Sequence, residues 1–297
     1  MKNMPGFAVT TVRSTLQCLH HFETAWLFTR SDFKTIVLPV MTFANVLSPR
    51  HDPLALSCSL CWLWLQLFQG NVSNQSYAAD EDALNKPWRP MPSGRISVKN
   101  ARVLRWALMV VCLGYSSLFS TNVLMTSVLF TVLVIVHDDL GLSGHPIGKS
   151  LLNVGAYVCF EYGSTLILSG RSSLDRTSMT ALLCSGLVIL GTIHVQDFED
   201  LSGDRAAGRQ TLPIVAPEGS RIYTLCILPL TSLVLAYFWS LGHLCSVLFV
   251  SMGCGIGFRC FLVRDEAGDR ITYRLYNVWL MSAHLLPAHT RFHAFSW

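Results

Sequence analysis

The sequence predicts an all-α integral membrane protein, a single bundle of roughly nine transmembrane helices. Three observations lead there. Of 297 residues, 51% are apolar and only 13% are charged, and the mean hydropathy is +0.43, a composition that fits a membrane better than the cytosol. The apolar residues fall in runs, such as 128–136 and 182–190, without the polar face that a helix on a soluble protein carries. Basic residues alternate from loop to loop, as the excess of Lys and Arg in cytoplasmic loops requires.

In chain order, residues 1–33 form an N-terminal segment. Its opening, 1–17, is polar and broken by Pro5 and Gly6, so it lacks a cleavable signal pattern. Residues 16–29 look amphipathic and suit the membrane surface. The spans follow at 34–48, 53–72, 103–120, 122–136, 150–168, 178–195, 222–241, 243–263 and 275–289, each near the ~20 residues a bilayer crossing takes. They compose one catalytic domain over 34–290, followed by a tail at 291–297. The second span runs into an acidic stretch, the fourth ends at Asp138 and Asp139, the fifth holds Glu161 in its middle, and the sixth runs into a second acidic stretch.

Even-numbered loops hold Lys86, Arg89, Arg95, Lys99, Arg102, Lys149, Arg205, Arg209, Arg221, Arg264, Arg270 and Arg274, whereas odd ones hold Arg50, Arg171 and Arg176. With a basic N-terminus (Lys2, Arg13, Arg30), this puts the N-terminus and both acidic stretches in the cytoplasm, from a multi-pass protein of the endoplasmic reticulum. Among ten cysteines, Cys58-x-x-Cys61 has redox or zinc spacing. Most cysteines sit inside apolar spans, where a thiol behaves as a small hydrophobe. The sequons at Asn71 and Asn74 overlap the first acidic stretch on the cytoplasmic side and are not expected to carry sugar.

The first acidic stretch contains Asn74, Asp80, Glu81, Asp82, Asn85, Lys86 and Arg89; the second contains Asp197, Glu199, Asp200, Gly203, Asp204, Arg205, Gly208 and Arg209. If the second span continues as helix, Asn74, Ala78 and Asp82 line one face; Asp197, Asp200 and Asp204 do the same beyond the sixth. Two such faces opposed across a bundle would repel an anionic substrate unless a divalent metal bridges them. Mg²⁺ is the expected cofactor, because it takes a few carboxylates together with phosphate oxygens. Lys86, Arg89, Arg95, Arg205 and Arg209 supply cations for phosphate.

At these residues the chain resembles the UbiA superfamily of intramembrane prenyltransferases. Gln196-Asp197-x-x-Asp200-x-x-Gly203-Asp204-Arg205-x-x-Gly208 is similar to the second motif of that family, and Asp82-x-x-Asn85-Lys86-Pro87-x-Arg89-Pro90 to the tail of the first. The resemblance covers nearly the whole chain and implies nine transmembrane helices and Mg²⁺-assisted loss of diphosphate from a prenyl donor. It also implies metals near Asn74, Asp82, Asp197, Asp200 and Asp204, and the expected diphosphate-binding residues are Asn74, Asn85, Lys86, Arg89, Arg95, Arg205 and Arg209. Gln75 and Ala78 stand where the family has its first two aspartates. That departure is similar to a fungal branch of membrane-bound terpene cyclases, those making bergamotene-type sesquiterpenes and cyathane-type diterpenes.

A cyclase must also fold its substrate and stabilise migrating positive charge, a task for aromatic faces such as Trp62, Trp64, Phe68, Tyr157, Phe160, Tyr162, Tyr237 and Trp239. Packing is the plainer role for rings in membrane helices. Glu161, an ionisable group at membrane depth, is a candidate catalytic residue beside Asp82, Asp197, Asp200 and Asp204; pairing with a base on another helix is its alternative. The expected function is cyclisation of a C15 or C20 prenyl diphosphate in fungal terpenoid biosynthesis. The alternatives are prenyl transfer to an aromatic or quinone-precursor acceptor and, outside enzymes, a transporter or an inactive lipid-binding homologue. The expected partners are the prenyl diphosphate and the bilayer, with no nucleic acid and no obligate protein partner.

Overall fold

The computed structural model describes residues 6–50 and 52–297, with side chains from residue 17 onward. Residues 1–5, Lys2 among them, and the side chain of Arg13 lie outside the described residues. Among the described residues there is no strand. α1 (Gly6–Thr29) leads through a π turn (Phe33–Val37) into α2 (Leu38–Leu47), then α3 (Pro53–Tyr77), α4 (Ala79–Asn85), α5 (Val98–Ser117) and α6 (Thr121–Asp138). After a 3₁₀ turn (Leu142–Gly144) come α7 (Pro146–Ser169), α8 (Arg176–Thr192), a 3₁₀ segment (Ile193–Phe198), α9 (Leu201–Ala206) and α10 (Leu212–Val215). The chain closes with α11 (Pro217–Phe238), α12 (His243–Leu262), α13 (Glu266–Leu285) and α14 (Ala288–Phe292).

Local chemistry sets the helix starts. Asp52, Ser97, Ser120, Asp175 and Asp265 cap α3, α5, α6, α8 and α13 by accepting a first-turn backbone N–H. Proline opens α3, α7 and α11, where its missing N–H costs nothing. Each predicted span falls largely on helix, and among the described residues five helical stretches are both long and apolar enough to cross a membrane: α6, α7, α8 with its 3₁₀ extension, α11 and α12. The stretch 33–47 is short; α3 carries Gln66, Gln69 and Asn71, α5 opens on Lys99, Asn100 and Arg102, and α13 opens on Glu266, Asp269 and Arg270. These polar turns lower the mean hydropathy without preventing burial in a bundle.

α7 sits at the centre, packed on α2, α3, α6 and α8. Gly163 makes the α3 contact possible: a methyl group there would lie 2.2 Å from the Trp62 ring. Side-chain N–H groups of α3 donate to α5 and α6: Trp62 Nε1 to Ser116 Oγ at 2.8 Å, Gln66 Nε2 to Ser127 Oγ at 2.6 Å and Gln69 Nε2 to Thr131 Oγ1 at 3.1 Å. Outward faces are apolar instead: Leu183 and Leu187 on α8, Leu230, Leu233 and Val234 on α11, and Val247 and Leu248 on α12 are all exposed. On a soluble monomer so continuous an apolar exterior would drive aggregation; here it is the lipid face of an integral membrane protein.

The expected helical continuation of both acidic stretches needs correction. α3 breaks at Ala78 (φ −104°, ψ 22°) before α4 begins. The break is mild, since Ala78 N still bonds Asn74 O and Asp82 N still bonds Ala78 O, keeping the i to i+4 register. Beyond α8 the chain tightens into the 3₁₀ segment and restarts as α9, so Asp197, Asp200 and Asp204 are not successive turns of one α-helix.

Candidate active site

A cavity of about 1000 Å³ opens among α2, α3, α4, α6, α7, the 3₁₀ segment and α13. Its size sits at the upper end of ligand pockets. Part of the wall is apolar, with Leu67, Phe130, Leu133, Val134, Phe160 and Met281; another part is charged and includes both acidic stretches. Asn74, Ala78 and Asp82 all line it, so the face predicted for the first stretch survives the break at Ala78.

Cations tie the two stretches together. Lys86 Nζ of the first lies 3.2 Å from Asp200 Oδ2 of the second. Arg209 of the second reaches Glu81 Oε2 at 2.9 Å and Asp204 Oδ1 at 3.1 Å. Arg89 Nη1 donates to Asp82 Oδ1 at 2.6 Å within the first stretch. Backbone approach is equally close: a methyl group on Gly203 would stand 1.7 Å from Asn85 Nδ2, so the glycine is where α9 meets α4. Burial raises the carboxyls of Glu81 and Asp82 above their ordinary values, and Arg209 and Arg89 respectively pull them back.

Asp82 Oδ2 and Asp204 Oδ2 are buried without a hydrogen-bond partner. Among the described residues no three acidic, His or Cys side chains are gathered as a ready-made metal cage. The donors nevertheless fit Mg²⁺ arriving with a diphosphate: they are hard oxygens, two of them unsatisfied, and this ion habitually takes its remaining oxygens from phosphate and water.

Other predicted residues stand elsewhere. Arg95 pairs with Glu23 of α1 at 2.9 Å, and Arg205 is exposed; neither lines the cavity. Glu161 is fully buried behind the cavity wall, where Ser185 Oγ donates to its Oε1 at 2.7 Å and His284 Nε2 lies 3.0 Å away. This is the interhelical pairing, through α8 and α13, that was its alternative. Asp139 turns outward to Arg105 and to Tyr77 Oη at 2.6 Å, and the Arg105 hydrogen bond holds its carboxyl below the usual value despite partial burial. Of the aromatic candidates only Phe160 lines the cavity, its ring centroid 4.8 Å from that of Phe130; Tyr237 is 88% exposed.

Sequence reasoning missed several lining residues. Lys149, in the first turns of α7, lies 2.6 Å from Asp197 Oδ1 and 3.9 Å from Asp204 Oδ2. Lys34 from the π turn before α2, and Arg270 and Arg274 from α13, bring further cations. Trp88 and Tyr273 add aromatic surface, with Arg30 stacked over Trp88 at 4.1 Å. Glu199 also lines the cavity, its carboxyl pushed up to about 7 by burial and by neighbouring Asp200. Lys149 was visible only as one more loop charge, since nothing in its neighbourhood marks it as the partner of an acid 48 residues away.

Residues 36–281 match the model of the UbiA prenyltransferase family. The chain is 29% identical over 272 residues to a fumagillin beta-trans-bergamotene synthase of Aspergillus fumigatus, covering 91% of this chain and 93% of that one. It is 28% identical over 271 residues to a somaliensene A/B synthase of Streptomyces somaliensis, covering 86% and 88%. Its fold is similar to the solved structure of a UbiA homologue from Archaeoglobus fulgidus bound to GPP and Mg²⁺, with TM-score 0.63 at 14% identity, covering 89% of this chain and 99% of that one.

Proposed function

Because the chain belongs to the UbiA prenyltransferase family and is a membrane enzyme of that family, we propose that it is a terpene cyclase that ionises a C15 or C20 prenyl diphosphate and closes it into a ring without a second substrate. One observation carries this reading: two acidic stretches, joined by Lys86 to Asp200 and by Arg209 to Glu81, form the charged wall of a cavity that also has an apolar, partly aromatic wall. Such a chamber accommodates a molecule with a phosphate head and a hydrocarbon tail. Similarity to a bergamotene synthase and a somaliensene synthase over most of the chain favours cyclisation over transfer to an acceptor.

In this reading Asp82, Asp197, Asp200 and Asp204, with Asn74, hold Mg²⁺, which when bound supplies positive charge against the developing charge of the leaving diphosphate. Asn85, Lys86, Arg89 and Arg209 grip that group, joined by Lys149, which stands beside Asp197. Apolar side chains keep water from the cation, and the rings of Phe130 and Phe160 offer their negative faces to it. The chain crosses the membrane nine times in this proposal, counting 33–47, α3, α5 and α13 with the apolar spans. Its charged wall faces the cytoplasm from the endoplasmic reticulum.

The test uses membranes holding the full chain, supplied with farnesyl or geranylgeranyl diphosphate and Mg²⁺ and no acceptor. Release of diphosphate with an equal amount of cyclic hydrocarbon is expected, abolished by chelation and restored by Mg²⁺. Turnover that begins only when a phenolic or quinone-precursor acceptor is added would establish the transferase instead.

A further inference from the structure

We propose that His137, oriented by Asp138, is the base that ends the reaction by removing a proton from the cyclised carbocation, an assignment that rests on the cyclase reading above. The pair closes α6, and Phe130, Val134, His137 and Asp138 of that helix all line the cavity. Their spacing of four, three and one puts them along one helical side, so His137 is where the aromatic part of the wall passes into the charged part.

The hydrogen bonds distinguish Asp138 from the acids of the two stretches. It is buried, and both oxygens are used. Oδ2 accepts from Ser73 Oγ, and Oδ1 accepts from Asn74 Nδ2 at 3.4 Å and lies 2.7 Å from His137 Nδ1. Ser73 and Asn74 both donate to this carboxyl group, and His137 Nδ1 completes the set as a third donor. The lone pair then resides on Nε2, the arrangement by which an acid fixes the tautomer of a basic histidine. Asp82 and Asp204 each keep a buried oxygen in reserve; Asp138 keeps none. It is therefore a positioning residue, and His137, with 20% of its side chain exposed, is the group a substrate meets.

In the step itself a C–H bond next to the cationic carbon breaks, and its electron pair becomes the new C=C π bond. The proton passes to Nε2. The resulting imidazolium is held by Asp138, and the departing diphosphate takes the proton onward as the product leaves.

The experiment compares the products made per diphosphate released by the full chain in membranes, for the wild type, His137→Gln, His137→Phe and Asp138→Asn. The parent hydrocarbon is expected to fall about tenfold or more relative to isomeric alkenes and water-quenched alcohols in both His137 variants. Asp138→Asn should shift the mixture in the same direction, which a merely structural role would not do. An unchanged mixture in both His137 variants overturns the assignment. So does complete loss of diphosphate release in both while the protein stays in the membrane, since that places His137 in ionisation. A wild-type protein that yields no hydrocarbon without an acceptor sinks the cyclase reading and this assignment with it, a failure visible before any variant is made.

Discussion

Gly203 and Asn85 meet at a separation that leaves no room for a side chain on the glycine. Gly203→Ala is expected to force α4 and α9 apart, costing about 1–3 kcal/mol of stability and reducing product formation more than tenfold; thermal unfolding in detergent and product assay check the two parts. At Asp82 one oxygen takes Arg89 and the other is buried without a partner. Asp82→Asn keeps the shape but lowers the affinity for oxygen-bound cations, and turnover should fall by about 10² or more, whereas Lys149→Ala should chiefly weaken diphosphate binding and raise the apparent KM. The cavity-lining positions of Asp82 and Asp200 were marked in the sequence by the basic residues and glycine beside them, although the helical repeat expected of the second stretch is not what brings Asp200 there. Lys149, His137 and Arg270 were not, since their role comes from where the bundle brings them.

Helices show the same division between local and assembled information. Apolar runs located the middle of each span, while polar ends escaped: the last span was expected from residue 275, yet α13 begins at Glu266, because its charged first turns reach the cavity mouth. The 3₁₀ segment escaped too. Its sequence, Ile193 to Phe198, contains no proline or glycine, so the tightening follows from its partners, Lys149 pulling on Asp197 and Thr224 bonding His194 at 2.7 Å. Between α3 and α7, Gly163→Ala should destabilise by about 1–3 kcal/mol, since the Trp62 ring cannot withdraw. Between α8 and α14, Asp175 caps Ser178 N at 2.8 Å and receives Arg291 at 2.7 Å; burial opposes its ionisation, but these bonds prevail and hold its carboxyl below the usual value. A lowered folded pKa gives stability that is present above the unfolded value of 3.8 and is lost as pH falls through the folded one. Arg291→Met should therefore lower stability at neutral pH by about 1 kcal/mol or less, a difference that disappears in strong acid when followed by thermal melts.

At the scale of the whole molecule, what separates the lipid face from the interior is that buried polar side chains are interspersed with the apolar core. Leu187 on α8 is 70% exposed on that lipid face, so Leu187→Arg should disfavour insertion by about 2.5–3.5 kcal/mol and raise the fraction of chain released by alkaline carbonate. The overall class was legible in the sequence because lipid tolerates so few solutions, whereas the cavity was not, being a property of how helices lean together. On the wall of that cavity Asp82, Asp197 and Asp200, and buried just behind it Asp204, each already face a cation of the chain's own. A solitary divalent ion would have to displace these ammonium and guanidinium groups and strand them, and a solitary diphosphate would strand the carboxylates. Only the two together, nearly neutral as a unit, can trade places with the resident pairs. Magnesium and substrate should thus bind synergistically, each weakly alone, so that calorimetric titration with either one sharpens when the other is present.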